Sequence, residues 1–119
     1  MKYALLVYSD QSAWLGMSEE EALAAREASM PKWIALFEEL AKVDPGVDGS
    51  ELEAAADART VRVRSGERLV TDGPFAETKE LIGGIFILEA PDLDEVIRLA
   101  ALIPAAEYGS IEVRPIVEH

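Results

Sequence analysis

Residues 71–88 read TDGPFAETKELIGGIFIL, and the passage from turn to apolar run within them decides the fold. Asp72, Gly73, Pro74 and Phe75 form a turn of constrained chemistry. Pro74 fixes its own φ and pushes Gly73 out of the α region. Gly73 permits backbone angles that a side chain forbids, and Asp72 is able to accept hydrogen bonds from nearby amides. Glu77, Lys79 and Glu80 then crowd charge around the turn. The run Ile82-Gly83-Gly84-Ile85-Phe86-Ile87-Leu88 is a strand apolar on both faces, and its glycine pair predicts a bulge or a close backbone approach. It is no phosphate loop, because the strand–glycine–helix context of a dinucleotide site is missing.

Lys2 to Tyr8 is a second strand of the same kind, with Tyr3, Leu5 and Val7 on one face and Ala4, Leu6 and Tyr8 on the other. Ser9 to Met17 is a loop, although Trp14 and Leu15 are too apolar for a simple solvent loop. Ser18 opens a helix with a capping box closed by Glu21. Pro31 interrupts it, which predicts one piece to about Ser29 and another from Pro31 to Lys42, with Met30, Ile34, Phe37, Leu40 and Ala41 as the buried stripe. Asp44-Pro45-Gly46 ends that helix. Val47 to Leu52 is a weak strand, and Glu53 to Ala58 is either a loop or a helical turn. Arg59 to Arg64 and Glu67 to Val70 form a hairpin around Ser65-Gly66. A two-residue loop pairs Val61 with Val70, a three-residue loop Val63 with Leu69, and the register stays open. Asp92 and Glu95 cap a second helix whose apolar face is Leu93, Val96, Ile97, Ala100 and Ile103, stopped by Pro104. Ser110 to Val117 is the last strand, and Pro115 there argues for an edge or an irregularity.

The order β, α, β, hairpin, β, α, β predicts one α+β domain over residues 1–119, an antiparallel sheet with two helices on one face and an inserted hairpin. Two helices cover one face of such a sheet. The other face stays apolar in both central strands, and an uncovered patch of that size marks an interface, here between two copies of the chain.

The same residues carry a resemblance. DGPFAETKE resembles the signature of the DGPF family within the YCII-related superfamily. Tyr3-Ala4-Leu5-Leu6-Val7-Tyr8 resembles that family's first strand and Thr60-Val61-Arg62-Val63-Arg64 its hairpin. Ile103-Pro104-Ala105-Ala106-Glu107-Tyr108-Gly109-Ser110-Ile111-Glu112-Val113-Arg114-Pro115 is similar to its C-terminal block. The resemblance covers nearly the whole chain and implies a ferredoxin-like dimeric α+β barrel. It also implies a histidine on the first long helix with a partner carboxylate. The corresponding stretch, Ser29-Met30-Pro31-Lys32-Trp33, offers only Lys32 in that role.

Composition narrows the function. The 119 residues carry a formal charge of −12, which disfavours nucleic-acid phosphate and anionic membrane surfaces. There is no cysteine, so disulfides, thiol nucleophiles and cysteine-ligated metals are excluded. No signal-like start and no long apolar run is present, and a soluble cytoplasmic protein is expected. The one histidine, His119, stands last in the sequence, so no internal Ser-His-Asp set or His-carboxylate metal spacing exists.

Asp72 is the candidate catalytic acid or base: desolvated beside Phe75 its pKa would rise, whereas as a turn cap it would fall. Tyr8, Trp14, Phe75 and Arg114 are the candidate substrate-binding residues. Tyr8 and Arg114 would orient polar atoms, while Trp14 and Phe75, with Tyr108, would exclude water, although packing accounts for the aromatics as well. Arg114 and Glu112 are expected to pair with Asp72 or Glu77, or to form a structural ion pair. The expectation is a homodimer binding or transforming a small organic molecule near the turn, without a cofactor or metal. The alternative is a regulatory or interaction module that meets a protein partner associated with an alternative (extracytoplasmic-function) sigma factor.

Overall fold

The helices that begin at Glu19 and Leu93 form where capping chemistry places them. The computed structural model describes residues 1–76 and 78–119. The Glu21 amide donates to Ser18 Oγ at 3.1 Å, and the Glu95 amide donates to Asp92 Oδ1 at 2.9 Å. These caps satisfy amides that the first turn leaves orphaned.

Among the described residues the order is β1 (Lys2–Asp10), α1 (Ser12–Leu15), α2 (Glu19–Val43), β2 (Asp48–Glu51), β3 (Arg59–Arg64), β4 (Glu67–Asp72), β5 (Glu80–Glu89), α3 (Leu93–Ala100) and β6 (Ser110–Pro115). Short 3-10 turns lie at Ala55–Asp57 and Pro104–Glu107. The sheet order is β2-β5-β1-β6, every neighbour antiparallel. With α2 and α3 as its two crossovers, this is a ferredoxin-like α+β arrangement. No barrel closes: the sheet is open, with β2 and β6 as its edges. The inserted hairpin β3–β4 is a sheet of its own.

Alternation along β1 decides which face is buried. Tyr3, Leu5 and Val7 pack with Phe86 and Leu88 of β5, Leu36 and Leu40 of α2, and Val96, Leu99 and Ala100 of α3. Both helices therefore cover one face. Gly83 is the extra residue of a bulge, because Val7 stands opposite Gly84 and Tyr8 opposite Ile82. The hairpin takes the two-residue loop: Val61 pairs with Val70, and Ser65 and Gly66 both have positive φ, 52° and 78°. Those angles give a turn whose twist matches the strands it joins.

Four expectations need correction. Pro31 does not divide the first helix, since α2 runs unbroken for 25 residues. Pro31 forfeits one bond to the carbonyl of Glu27, but it sits on the exposed side where water reaches that oxygen, and core contacts hold the helix beyond it. The buried stripe of α2 is also rotated. Leu36 and Leu40 are fully buried, whereas Met30, Ile34 and Phe37 are half-exposed. In α3, Leu99 is buried while Leu93 and Ile97 stay exposed. The Ser9–Met17 segment is not a plain loop, because β1 continues to Asp10 and α1 follows.

Candidate functional site

β1 leaves the sheet where β5 enters it, with Ser9 opposite Leu81 and Asp10 opposite Glu80. The loops gather at this end. Asp10 Oδ1 accepts from the Ser12 hydroxyl at 2.6 Å and from the Ser12 amide at 3.0 Å. The hydroxyl, then the amide, holds the Asp10 carboxyl below its usual range, because both bonds favour the charged form. Gln11 Oε1 accepts from the Ala55 amide at 2.9 Å and ties the end of β1 to the 3-10 turn after β2. On the β6 side, Ser110 Oγ donates to Glu80 Oε2 at 2.9 Å.

Trp14 of α1 meets Tyr108 edge-to-face, ring centroids 6.1 Å apart at 63°. Partial burial, with the Glu107 carboxylate as a smaller contribution, pushes the Tyr108 phenol above its ordinary value. Lys32 Nζ reaches both Glu107 carboxylate oxygens at 3.0 Å, so this lysine serves an ion pair in the described fold.

The Asp72–Phe75 turn is held by the strand beside it. The Gly73 amide donates to the Ala58 carbonyl and Thr60 Oγ1 to the Gly73 carbonyl, each at 2.8 Å. Gly73 has a φ of 86°, so the turn requires the left-handed region. Asp72 forms an ion pair with Arg59, Oδ1 to Nε 3.1 Å, with its side chain 90% exposed. It thus neither caps the turn nor lies desolvated within one copy of the chain. Below the turn lies a shallow pocket of about 260 Å³, lined by Leu52, Ala55, Ala58, Pro74, Leu81 and Ile82 together with Glu53 and Asp57. The alanine-rich stretch that forms its wall has no pattern that marks it as a wall in sequence.

The candidate residues fall in three places. Tyr8 and Arg114 share the face of the sheet opposite the helices, Tyr8 beside Ser110 and Arg114 beside Ala4. Trp14 stands against Tyr108. Asp72 and Phe75 belong to the turn, with Phe75 largely exposed. Among the described residues no hydrogen bond or ion pair joins Asp72 to the other four. Arg114 pairs instead with Glu112 at 2.6 Å, the structural ion pair, and not with Asp72; Glu77 lies outside the described residues. No cluster of three or more His, Cys, Asp or Glu is placed to hold a metal ion among the described residues. No helix there is long and apolar enough to cross a membrane.

The bare sheet face is the larger feature. Register puts Ala4, Leu6 and Tyr8 of β1 beside Ile87, Ile85 and Ile82 of β5, flanked by Ser110, Glu112 and Arg114 of β6. All six central side chains are partly exposed, whereas the opposite face of the same strands is buried.

Two comparisons with known proteins agree. The YCII-related domain matches residues 1–119. An uncharacterised protein of Rhizobium meliloti (strain 1021) is 36% identical over 121 residues, spanning 98% of this chain and 92% of that protein.

Proposed function

The chain belongs to the YCII-related family, and on that premise we propose a cytoplasmic homodimer that binds or transforms a small organic molecule at the loop-bearing end of its sheet. The Thr71–Glu80 motif supports, within this reading, membership of the DGPF group of that family. One observation carries the dimer: the apolar face formed by Ala4, Leu6, Tyr8, Ile82, Ile85 and Ile87 has no cover among the described residues. Two such faces packed together form the α+β barrel that one sheet alone does not close. Burial of a partly exposed leucine or isoleucine stabilises association by about 1–3 kcal/mol at the usual area coefficient.

The ligand site is the pocket between Ala55, Ala58, Pro74 and Ile82. Its apolar lining suits a hydrocarbon body, and Glu53 and Asp57 in the same lining suit a neutral or cationic head. No cofactor is part of this reading. Tyr8 and Arg114 act from the sheet face, and Trp14 and Phe75 exclude water once the second copy closes the site. Asp72 is the acid or base, and its present exposure means that it depends on the partner for desolvation. Ligand-observed NMR with small apolar amines and neutral amides tests the site. Binding lost in Ala58→Leu, with the fold and dimer intact, supports it, and undiminished binding in that variant contradicts it.

A second reading has its own observation. Met30, Ile34 and Phe37 form a half-exposed apolar stripe on α2, away from the bare sheet face. Such a patch favours an interaction module associated with an alternative sigma factor. Co-purification of that sigma factor, abolished by Ile34→Asp, is the expected result under this reading.

A further inference from the structure

β3 and β4 pair with each other along all six residues and with no other described strand. Alternation puts Val61, Val63 and Val70 on one side of this ribbon, where they are 59%, 62% and 55% exposed. A lone two-stranded ribbon with a bare apolar side is marginal in water, so its native state calls for a cover. The ribbon also stands out from the body. The radius of gyration is 16.4 Å, against about 13.5 Å for a compact domain of this length.

Charge identifies the cover. Arg59, Arg62, Arg64 and Arg68 are four of the chain's 11 basic residues, and only Glu67 and Asp72 oppose them within Arg59–Asp72. The ribbon is therefore +2, and because the whole chain is −12 the remainder is −14. A basic apolar ribbon on an acidic body fits an acidic apolar surface. The α2 stripe is one: Met30, Ile34 and Phe37 are 50%, 51% and 50% exposed, and Glu27 and Glu38 flank them. Neither glutamate carries an ion pair among the described residues, and neither do Arg62, Arg64 and Arg68.

Resting on the dimer proposed above, we infer that the ribbon is an arm reaching a second copy of this chain and laying Val61, Val63 and Val70 on that copy's α2 stripe. The arm does not cover its own helix, because both surfaces stay exposed within one chain. Six residues of strand extend about 20 Å, enough to pass the ~10 Å between two packed sheets and reach the helix layer beyond. Arg62 and Arg64 lie on the ribbon's other side and Arg68 beside the valines, positions from which long guanidinium side chains reach flanking glutamates. The DGPF turn sits at the arm's base, so docking would fix the Asp72 loop from the partner's side.

The chain has no cysteine, which gives a clean background for a mixing experiment. Chains carrying Val63→Cys and an affinity tag are mixed with untagged Ile34→Cys chains, allowed to exchange, and oxidised. A second pair, Val61→Cys with Met30→Cys, repeats the test in case one variant folds poorly. The expected main product is a disulfide-linked tagged–untagged pair, suppressed when Arg62→Glu and Arg64→Glu are added to the arm. Links mainly between two Val63→Cys chains overturn the placement by putting arm against arm. So does an absence of links while sedimentation shows a dimer, and in both cases the sheet dimer stands. A monomer in sedimentation overturns the arm and the dimer together.

Discussion

Leu5 and Leu6 are neighbours on one strand with opposite surroundings. Leu5 is fully buried beneath α2 and α3, and Leu6 looks out from the uncovered face. The two are chemically identical, so the difference lies in topology alone. Hydrophobic alternation says that a face requires cover, and the fold says whether the chain supplies it. Here the helices supply one cover, and a second copy is proposed for the other.

The sharpest break in this comparison comes from truncating both leucines. Leu5→Ala leaves a cavity under the helices and is expected to cost about 2–5 kcal/mol in urea unfolding at any protein concentration. Leu6→Ala is expected to cost much less in dilute solution, with its penalty growing as protein concentration rises. Equal losses independent of concentration would mean that Leu6 gains nothing from association.

Next in size is Pro31→Ala. Because α2 passes through Pro31 unbroken, the substitution restores an amide facing the Glu27 carbonyl and is expected to stabilise the chain by about 1 kcal/mol. A loss measured by thermal unfolding would show that Pro31 packs in a way the helix needs. Smaller still is Asp72→Asn. An exposed pair with Arg59 is worth about 0–1 kcal/mol, so stability should change within that range. The same substitution should abolish turnover of any substrate if Asp72 is the acid or base, which separates chemistry from folding.

The smallest effect is in the pH dependence. Asp10 has its carboxyl lowered by the Ser12 hydroxyl and amide, so its contribution to stability is present above the ordinary carboxyl value of about 3.9 and is lost as pH falls through the lowered value. Ser12→Ala should raise the Asp10 pKa toward that ordinary value in an NMR titration. An unmoved titration would assign the shift to the backbone amide alone.

Much of this fold is written locally. Ser18 with Glu21 and Asp92 with Glu95 announce their helices because capping depends on residues three apart. The Gly83-Gly84 pair allows a bulge or a close approach and the fold has the bulge, while Pro115 allows an edge or an irregularity and the fold has the edge. What local reasoning misplaced depends on packing. Pro31 carries a strong local penalty, yet the core contacts of the turns after it keep the helix whole. Met30, Ile34 and Phe37 have helical spacing as good as that of Leu36 and Leu40, and spacing does not say which stripe faces the sheet. The site was harder to read because its parts come from distant segments. Gln11 bonding to Ala55 and Trp14 meeting Tyr108 are contacts that no spacing rule anticipates. Tyr8 and Arg114 share a face that strand alternation allows, whereas the exposure of Asp72 depends on how far the hairpin stands from the body.

Equilibrium sedimentation tests the central claim most directly. At micromolar concentration the wild type should behave as one species of twice the 13.0 kDa chain mass, and Leu6→Asp should sediment as a monomer with an unchanged far-ultraviolet circular dichroism spectrum. A wild-type chain that stays monomeric under those conditions would contradict the account, because the apolar face of β1 and β5 would then be stable in water without a cover.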